Sequence, residues 1–502
     1  MEEQEKTQSQ EVRSRYRSGF AATVLFSGVQ IYQIIILIVK SKFVALFIGP
    51  VGMGIQSLLH TTTETISAAT NLGLKTSSVK TIAAANREGD RATIAKTVSA
   101  LRRLIWITGL IGMLICAAFA PIWSNTSFGS NAYVWSFVAV SAVVLFEQLN
   151  KGELALLQGM QQKQKLAQAN VIGQTINALI TIPLYYFYGL KAIAVALVLG
   201  SLISLLISTY YSHKLSIAKV NMSWRETFAI GHEMMKLGFF LSLQYLMATV
   251  VVWIIRNYVS STGGLDQVGL YGAGTAIVTT YIGLVFSAIA TDYYPRLAAT
   301  KSNAEMIDTV HVQAELTILL LAPLVVAFIV FCKPFIIILY SSKFLPVEHM
   351  MYWSIGAVLL QAMGWAASYT LLAKAKPLYF FYNELITTAW SLPVKLLFYK
   401  YWGLTGFGAA TMLVYGLYLI QIMIVAKKIF GFSFSQDIWK LLFLTYVPVV
   451  GAVLLKLCMP EAWGYLTGII ILIITSLFVF LKLDKIMDIK SVIAKYRTKI
   501  KR

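Results

Sequence analysis

Charged residues are scarce in this sequence: they make up 13% of its 502 residues, whereas a typical soluble domain carries about 25%. Hydrophobic residues reach 58%, and the mean hydropathy is +0.70. With so few polar residues, the chain cannot cover the surface of a globular domain that faces water on all sides. Because about 20 apolar residues form one membrane-spanning helix, the composition predicts an all-α protein that crosses a membrane many times.

Residues that commonly carry chemistry are also few. The three cysteines, Cys116, Cys332 and Cys458, lack the spacing of metal ligands, and no two of the five histidines stand four residues apart. The motifs G-x-x-x-x-G-K-[ST], H-E-x-x-H and G-x-S-x-G are missing. Short connections between the apolar runs leave no room for a catalytic domain. We therefore expect no enzyme, no metal site and no cofactor.

The apolar runs predict about 14 transmembrane helices separated by short connections. They cover residues 18–47, 52–74, 104–123, 133–157, 167–187, 191–211, 238–258, 269–291, 314–336, 349–373, 378–399, 405–426, 440–458 and 464–482.

Lysine and arginine predict the orientation of these spans. With the N-terminus in the cytoplasm, most of the 42 basic residues fall in inner segments, and the outer connections hold Lys191, Lys343 and Lys400. Cytoplasmic loops favour basic residues, so both termini are predicted to be cytoplasmic. Because the basic residues are spread between apolar runs, the net charge of +20 does not indicate a nucleic-acid partner.

Short matches recur along the chain at an interval of 214 to 217 residues. Val51-Gly52 and Val268-Gly269 open equivalent spans, as do Gly189-Leu190 and Gly403-Leu404. Six spans per repeat is an even number, so the two units enter the membrane in the same sense. We predict two parallel six-helix lobes, residues 1–225 and 226–430, followed by two extra helices and a basic cytoplasmic tail, residues 431–502.

Ionisable side chains inside apolar runs are costly and usually face a cavity or a partner. Lys42 and Arg256 lie in the first span of each predicted unit, where an anion between them would relieve their repulsion. The alternative is that each extends its charge to the membrane surface. Glu147 and Lys151 are four residues apart and are expected to pair. Glu64 and Glu147 are candidates for proton or sodium coupling.

Amide, carboxyl and aromatic side chains within the spans are candidates for a hydrated, glycan-binding cavity, because sugars need both apolar stacking and hydrogen bonds. The alternative is hydrogen bonding between neighbouring helices. The candidates are Gln30, Gln33, Glu64, Asn71, Gln244, Tyr245, Gln361, Trp365 and Tyr369.

Several stretches carry a family resemblance: residues 42–54, 71–80, 268–272, 294–297, 342–344 and 372–375, together with Arg256. In order and spacing they resemble the Wzx-type flippases of O-antigen and other lipid-linked oligosaccharides, within the multidrug/oligosaccharidyl-lipid/polysaccharide (MOP) exporter superfamily. The resemblance extends over roughly residues 18–430. Close relatives end after 12 spans, which leaves the role of residues 431–502 open.

The resemblance implies a V-shaped pair of lobes in the bacterial inner membrane. It implies that undecaprenyl-diphosphate-linked oligosaccharide moves from the cytoplasmic to the periplasmic leaflet by alternating access. Lys42 and Arg256 match positions where such flippases carry basic residues, which implies a diphosphate-binding role. The polysaccharide polymerase machinery is a candidate partner.

Three other functions compete with this interpretation. A multidrug or small-metabolite exporter of the same fold would favour a carboxylate-lined cavity. A membrane-embedded glycosyltransferase or polymerase needs a sizeable outer loop, which the sequence lacks. A non-transporting scaffold would not require charged residues facing a cavity.

Overall fold

The computed structural model describes residues 2–218, 220–374 and 376–487, and these residues form helices without any β-strand. The all-α prediction is thereby confirmed. Three short 3₁₀ segments, Asn131–Tyr133, Gly189–Ala192 and Ser342–Val347, and one π-helical turn, Ile277–Ile282, connect or interrupt the α-helices. The α-helices are Glu2–Asn71 (α1), Leu74–Glu88 (α2), Arg91–Ala118 (α3), Ala120–Phe128 (α4), Val134–Gly159 (α5), Lys163–Tyr188 (α6), Ile193–His213 (α7), Trp224–Gly263 (α8), Leu265–Ala276 (α9), Gly283–Ala299 (α10), Asn303–Val330 (α11), Cys332–Leu339 (α12), Glu348–Gly356 (α13), Val358–Ala373 (α14), Pro377–Phe430 (α15), Gln436–Cys458 (α16) and Glu461–Met487 (α17).

Among the described residues, nine helical segments are long and apolar enough to cross a membrane, or up to ten if one bent pair is counted as a span. The segments Tyr32–Asn71, Lys163–His213 and Leu378–Phe430 have 40, 51 and 53 residues. Each far exceeds the roughly 20 residues of one crossing, and each contains a sharp corner. The chain is a multi-pass membrane protein, and the count of 14 spans stays a prediction.

The corners are built on glycines with backbone angles that other residues rarely adopt. Gly49 has φ 60° and ψ −169°, and Gly264 has φ 91° and ψ 173°. Gly189 has φ 53° and ψ −130°, and Gly403 has φ 57° and ψ −143°. A Cβ atom is disfavoured at positive φ, which explains glycine at these points. The first two lie 215 residues apart and the second two 214, at the predicted repeat interval.

Replacing Gly189 with alanine is expected to destabilise the protein by about 1–3 kcal/mol through backbone strain alone. A Cβ atom at Gly189 would meet no atom within 4 Å, so no steric clash contributes. Gly173 inside α6 also has open space within 4 Å, and Gly173→Ala is therefore the matched control. The control should be neutral or slightly stabilising, because alanine favours a helix. The thermal unfolding midpoint in lipid nanodiscs measures both, and equal midpoints for the two variants would contradict the assignment.

The described residues form two compact units, which divide between Ser261 and Thr262. α8 up to Ser261 therefore packs with the first unit. The predicted division into residues 1–225, 226–430 and 431–502 stays a prediction.

The first unit has an apolar core shared by α2, α3, α5 and α8. Ile82, Leu101, Leu156 and Met234 are each almost completely buried there. Two of these helices, α5 and α8, also carry polar residues of the candidate site.

In the second unit α11 is the most enclosed of the long helices, and α16 and α17 pack along it. Two ion pairs fix α17 near its two ends: Lys333 Nζ lies 2.7 Å from Glu461, and Lys482 Nζ lies 3.7 Å from Glu315. The two C-terminal helices are thus an integral part of this unit. The basic tail beyond residue 487 lies outside the described residues.

Candidate functional site

A polar cavity of about 450 Å³ lies within the first unit, between helices that are long and apolar enough to span a membrane. Buried space of this size between transmembrane helices holds polar groups only when they serve one another or a ligand. Its polar lining residues are Lys40, Gln56, His60, Glu64, Glu147, Asn150, Lys151, Asn177, Thr181, Tyr185, Ser201, Ser204 and Tyr245.

One wall of the cavity is a continuous chain of acidic and basic groups. The Tyr245 hydroxyl donates to Glu64 Oε1 at 2.7 Å, and His60 Nδ1 lies 3.8 Å from Glu64 Oε2. His60 Nε2 lies 3.7 Å from Glu147 Oε1, and Lys151 Nζ lies 3.2 Å from Glu147 Oε2. Glu147 and Lys151 therefore pair, as their spacing predicts. The chain links three helices, α1, α5 and α8, through ionisable side chains.

The opposite wall carries a lysine held by an amide. Lys40 Nζ donates to Asn177 Oδ1 at 2.9 Å, and the same oxygen accepts from Thr181 at 2.9 Å. Asn177 and Thr181 are four residues apart and share one face of α6. The cavity thus combines two lysines with two carboxylates, so its formal charge is balanced when His60 is neutral.

A second cavity of about 240 Å³ shares Lys151 and Tyr245 with the first. It is lined in addition by Asn71, Lys75 and Ser242. Burial and the positive charge of Lys151 lower the pKa of Lys75, so the two lysines affect each other. Two cations beside one cavity repel each other unless an anion lies between them.

Lys42 and Lys40 lie on different faces of α1. Residues two apart on an α-helix point about 200° away from each other, so the two lysines cannot face the same cavity. Lys40 lines the polar cavity, whereas Lys42 is half-buried on another face of α1. The diphosphate role predicted for Lys42 stays a prediction.

Arg256 contacts the second half of α1. Its Nη1 donates to the Thr61 hydroxyl and, at 3.3 Å, to the Ser57 carbonyl. The residue is half-buried. Its predicted diphosphate-binding role is likewise untested, and the geometry adds a second role, the attachment of α8 to α1.

Arg256 belongs to a series of polar contacts that α8 makes with α1 along its length. Trp253 Nε1 donates to Thr62 at 3.1 Å, and the Thr65 hydroxyl donates to the Thr249 carbonyl at 3.3 Å. With the Tyr245 contact to Glu64, these partners follow one face of α8 at helical spacing. α8 is therefore tied to α1 by hydrogen bonds over several turns.

The remaining predicted site residues of the first unit have mixed positions. Asn71 lines the smaller cavity, while Gln33 and Gln244 are half-buried without lining either cavity described here. The side chain of Gln30 lies outside the described residues.

In the second unit, Trp365 and Tyr369 belong to an aromatic cluster. Their ring centroids lie 4.4 Å apart, and each also lies within 6 Å of the Tyr293 ring. The Tyr293 hydroxyl donates to the Ala366 carbonyl at 2.7 Å. Gln361 lies on the same face of α14, one turn before Trp365. Three predicted residues thus share a half-buried face, and their glycan-binding role stays a prediction.

Sequence reasoning did not select several residues that line the polar cavity, among them Gln56, His60, Asn150 and Asn177. A signal was available for two of them. His60 and Glu64 are four residues apart, and Asn177 and Thr181 repeat that spacing within apolar helices. The direction of each face depends on how the helices pack, which spacing alone does not give.

Known proteins agree with this fold. A family model described as "Polysaccharide biosynthesis protein" matches residues 43–349. A "Putative O-antigen transporter" of Shigella flexneri is 25% identical over 160 residues, which are 32% of this chain and 37% of that protein. The match therefore spans little more than a third of that relative's length.

Two solved structures share the architecture. The lipid II flippase MurJ in an inward closed conformation aligns with a TM-score of 0.71 and 14% identity, covering 92% of this chain and 99% of MurJ. An inward-facing multidrug resistance MATE transporter of the MOP superfamily aligns with a TM-score of 0.66 and 15% identity, covering 80% and 94%. At such identities the likeness shows the fold. Together with the family match it confirms the predicted resemblance, and the chain belongs to the polysaccharide biosynthesis protein family.

Proposed function

We propose that this protein flips a polyprenyl-diphosphate-linked oligosaccharide across the bacterial inner membrane by alternating access. The observation that carries the proposal is the polar cavity of about 450 Å³ among membrane-spanning helices. A lipid-linked sugar needs such a hydrated path because its hydroxyl groups cannot cross hydrocarbon unsolvated. The family match and the relative described as an O-antigen transporter support this class of substrate.

The cavity walls suit a glycan. Asn150, Asn177 and Gln56 offer both donors and acceptors, which sugar hydroxyls can use in either direction. Tyr245 adds a half-exposed aromatic ring beside them. The polyprenyl chain would stay in the lipid, because its transfer into a polar cavity is unfavourable.

The diphosphate has two candidate sites. Lys42 and Arg256 are proposed from the sequence and the resemblance. Lys75 and Lys151 are proposed from the structure, because both line the smaller cavity and that cavity adjoins the polar one. A phosphate between two ammonium groups gains charge-assisted hydrogen bonds to each.

Direction, substrate and partners complete the proposal. We propose undecaprenyl diphosphate as the carrier, transport from the cytoplasmic to the periplasmic leaflet, cytoplasmic termini, and supply of a polysaccharide polymerase. Glu64 and Glu147 would couple transport to a proton or sodium gradient.

Export of drugs or small metabolites is the second candidate function. Two carboxylates, Glu64 and Glu147, line the cavity, and such groups attract cationic compounds. A multidrug resistance transporter shares this fold, which supports export as the alternative function. Deletion of the gene should then sensitise cells to cationic drugs without changing surface polysaccharide.

The deciding experiment depletes the protein in its own cells and measures which leaflet holds the labelled polyprenyl-diphosphate oligosaccharide. We expect accumulation on the cytoplasmic leaflet, with restoration by the wild-type protein. The Arg256→Ala variant, compared at equal protein levels, tests the sequence-derived anion site separately. An unchanged leaflet distribution after depletion would contradict the flippase proposal and favour small-molecule export.

A further inference from the structure

A groove separate from the polar cavity lies on the first unit between α3, α5 and α7. Its volume is about 390 Å³, within the roughly 300–1,000 Å³ of small-molecule sites. It lies where α3 begins its apolar part and where α5 and α7 approach their ends. All three helices meet there at one boundary of the predicted membrane region.

Most of the groove is apolar. Leu101, Ile105 and Leu149 line it, and Trp106 and Leu206 stand at its rim with exposed fractions of 50% and 59%. Exposed apolar side chains at a membrane-spanning helix contact lipid tails. The groove is therefore open to a hydrocarbon chain.

One ion pair lies within the apolar lining. Arg102 Nε donates to Glu153 Oε1 at 2.9 Å, and Arg102 Nη2 donates to Glu153 Oε2 at 2.8 Å. A guanidinium carries five N–H donors, so this pair does not exhaust the hydrogen-bonding capacity of Arg102. The carboxylate also fixes the plane of the guanidinium, which prepares it to meet a second oxyanion.

A histidine and a lysine lie at the polar end of the groove. His213 lines it, and Lys214 follows directly with its Nζ 4.2 Å from the Tyr210 ring centroid. Glu153 is the acidic residue among the lining residues. Arg102 and Glu153 balance each other within the lining, so the positive charge of Lys214 beside it makes this end favourable to an anion.

We propose that this groove binds an anionic membrane phospholipid. The phosphodiester lies at the Arg102 guanidinium and one acyl chain lies along Trp106, Leu205 and Leu206. Charge complementarity at one end and an open apolar channel at the other are the two features that such a lipid requires. The proposal does not depend on the identity of the transported substrate.

The test uses the full-length protein in mild detergent with equimolar phosphatidylglycerol and phosphatidylcholine of identical acyl chains. Native mass spectrometry counts the bound lipids. We expect wild-type protein to retain phosphatidylglycerol in preference to phosphatidylcholine. Leu206→Trp, which fills the rim, should lower its occupancy about tenfold, equivalent to roughly 1.4 kcal/mol.

Two further variants keep the result interpretable. Leu114→Trp changes an equally exposed leucine on α3, 63% accessible and outside the groove, and should behave as wild type. The double variant Arg102→Ala/Glu153→Ala keeps the net charge and should lose the preference for phosphatidylglycerol. Equal occupancy by both lipids in wild type, or unchanged binding in Leu206→Trp and the double variant, would overturn the proposal. Retention of polyprenyl phosphate in place of both lipids would overturn it too, by assigning the groove to the carrier lipid.

Discussion

Replacing Lys75 and Lys151 together with alanine is expected to lower the transport rate of the lipid-linked oligosaccharide by about a hundredfold or more, since each charge-assisted hydrogen bond to phosphate contributes roughly 1.5–3 kcal/mol. Both lysines line the smaller cavity, where they would hold the diphosphate together. The measurement is translocation of a fluorescent polyprenyl-diphosphate oligosaccharide in proteoliposomes. An assay with the same carrier in its uncharged alcohol form should show little difference between variant and wild type.

The matched control is Lys80→Ala/Lys163→Ala, which removes the same charge from two exposed lysines of α2 and α6. This control should transport normally. Because Lys151→Ala also leaves Glu147 without its lysine, Glu147→Gln provides a second comparison that keeps the Lys151 charge. Transport equal to wild type in Lys75→Ala/Lys151→Ala would exclude these lysines and return the diphosphate to Lys42 and Arg256.

Neutralising Glu64 is expected to make transport insensitive to the imposed ion gradient, with about a tenfold loss of the gradient-driven rate, equivalent to roughly 1.4 kcal/mol. The charge of Glu64 can be removed without loss of its hydrogen bond, because a glutamine oxygen can still accept from the Tyr245 hydroxyl. Glu64→Gln therefore removes the titratable group and keeps the contact with α8. Tyr245→Phe removes the contact and keeps the carboxylate.

Proton and sodium gradients are applied separately to proteoliposomes that contain each variant. Tyr245→Phe should keep its response to the gradient that drives wild type, whatever its absolute rate. A normal gradient response in Glu64→Gln would show that Glu64 does not carry the coupled ion. His60 and Glu147, the next groups in the same chain, would then be substituted in turn.

Much of the fold follows from the sequence because lipid imposes strict conditions on the chain. Breaks predicted between residues 47 and 52, 187 and 191, and 399 and 405 each contain an observed glycine corner. The beginning of the third helix was less accessible to prediction. The apolar run begins at residue 104, but α3 begins at Arg91, where the Asp90 carboxylate accepts from the Thr93 N–H at 2.9 Å. Hydropathy detects the part of a helix that is in lipid and misses its polar extension.

The site was only partly predictable for a different reason. Glu64 and Tyr245 were selected for their polarity and they meet, yet Tyr245 lies 181 residues along the chain from Glu64. Lys40 lies in the same apolar run as Lys42, and the sequence and the resemblance favoured Lys42. Only the packing of α1 against α6, which brings Asn177 to Lys40, distinguishes them. The face of a helix that meets a cavity is a property of several helices together.

The glycine corners also bear on how the protein is made. α6 and α7 are joined by the four residues Gly189–Ala192. We expect the two helices to insert together, as one hairpin, because so short a connection keeps them adjacent. An error in their orientation would invert both helices at once, so the position of every later span would be preserved.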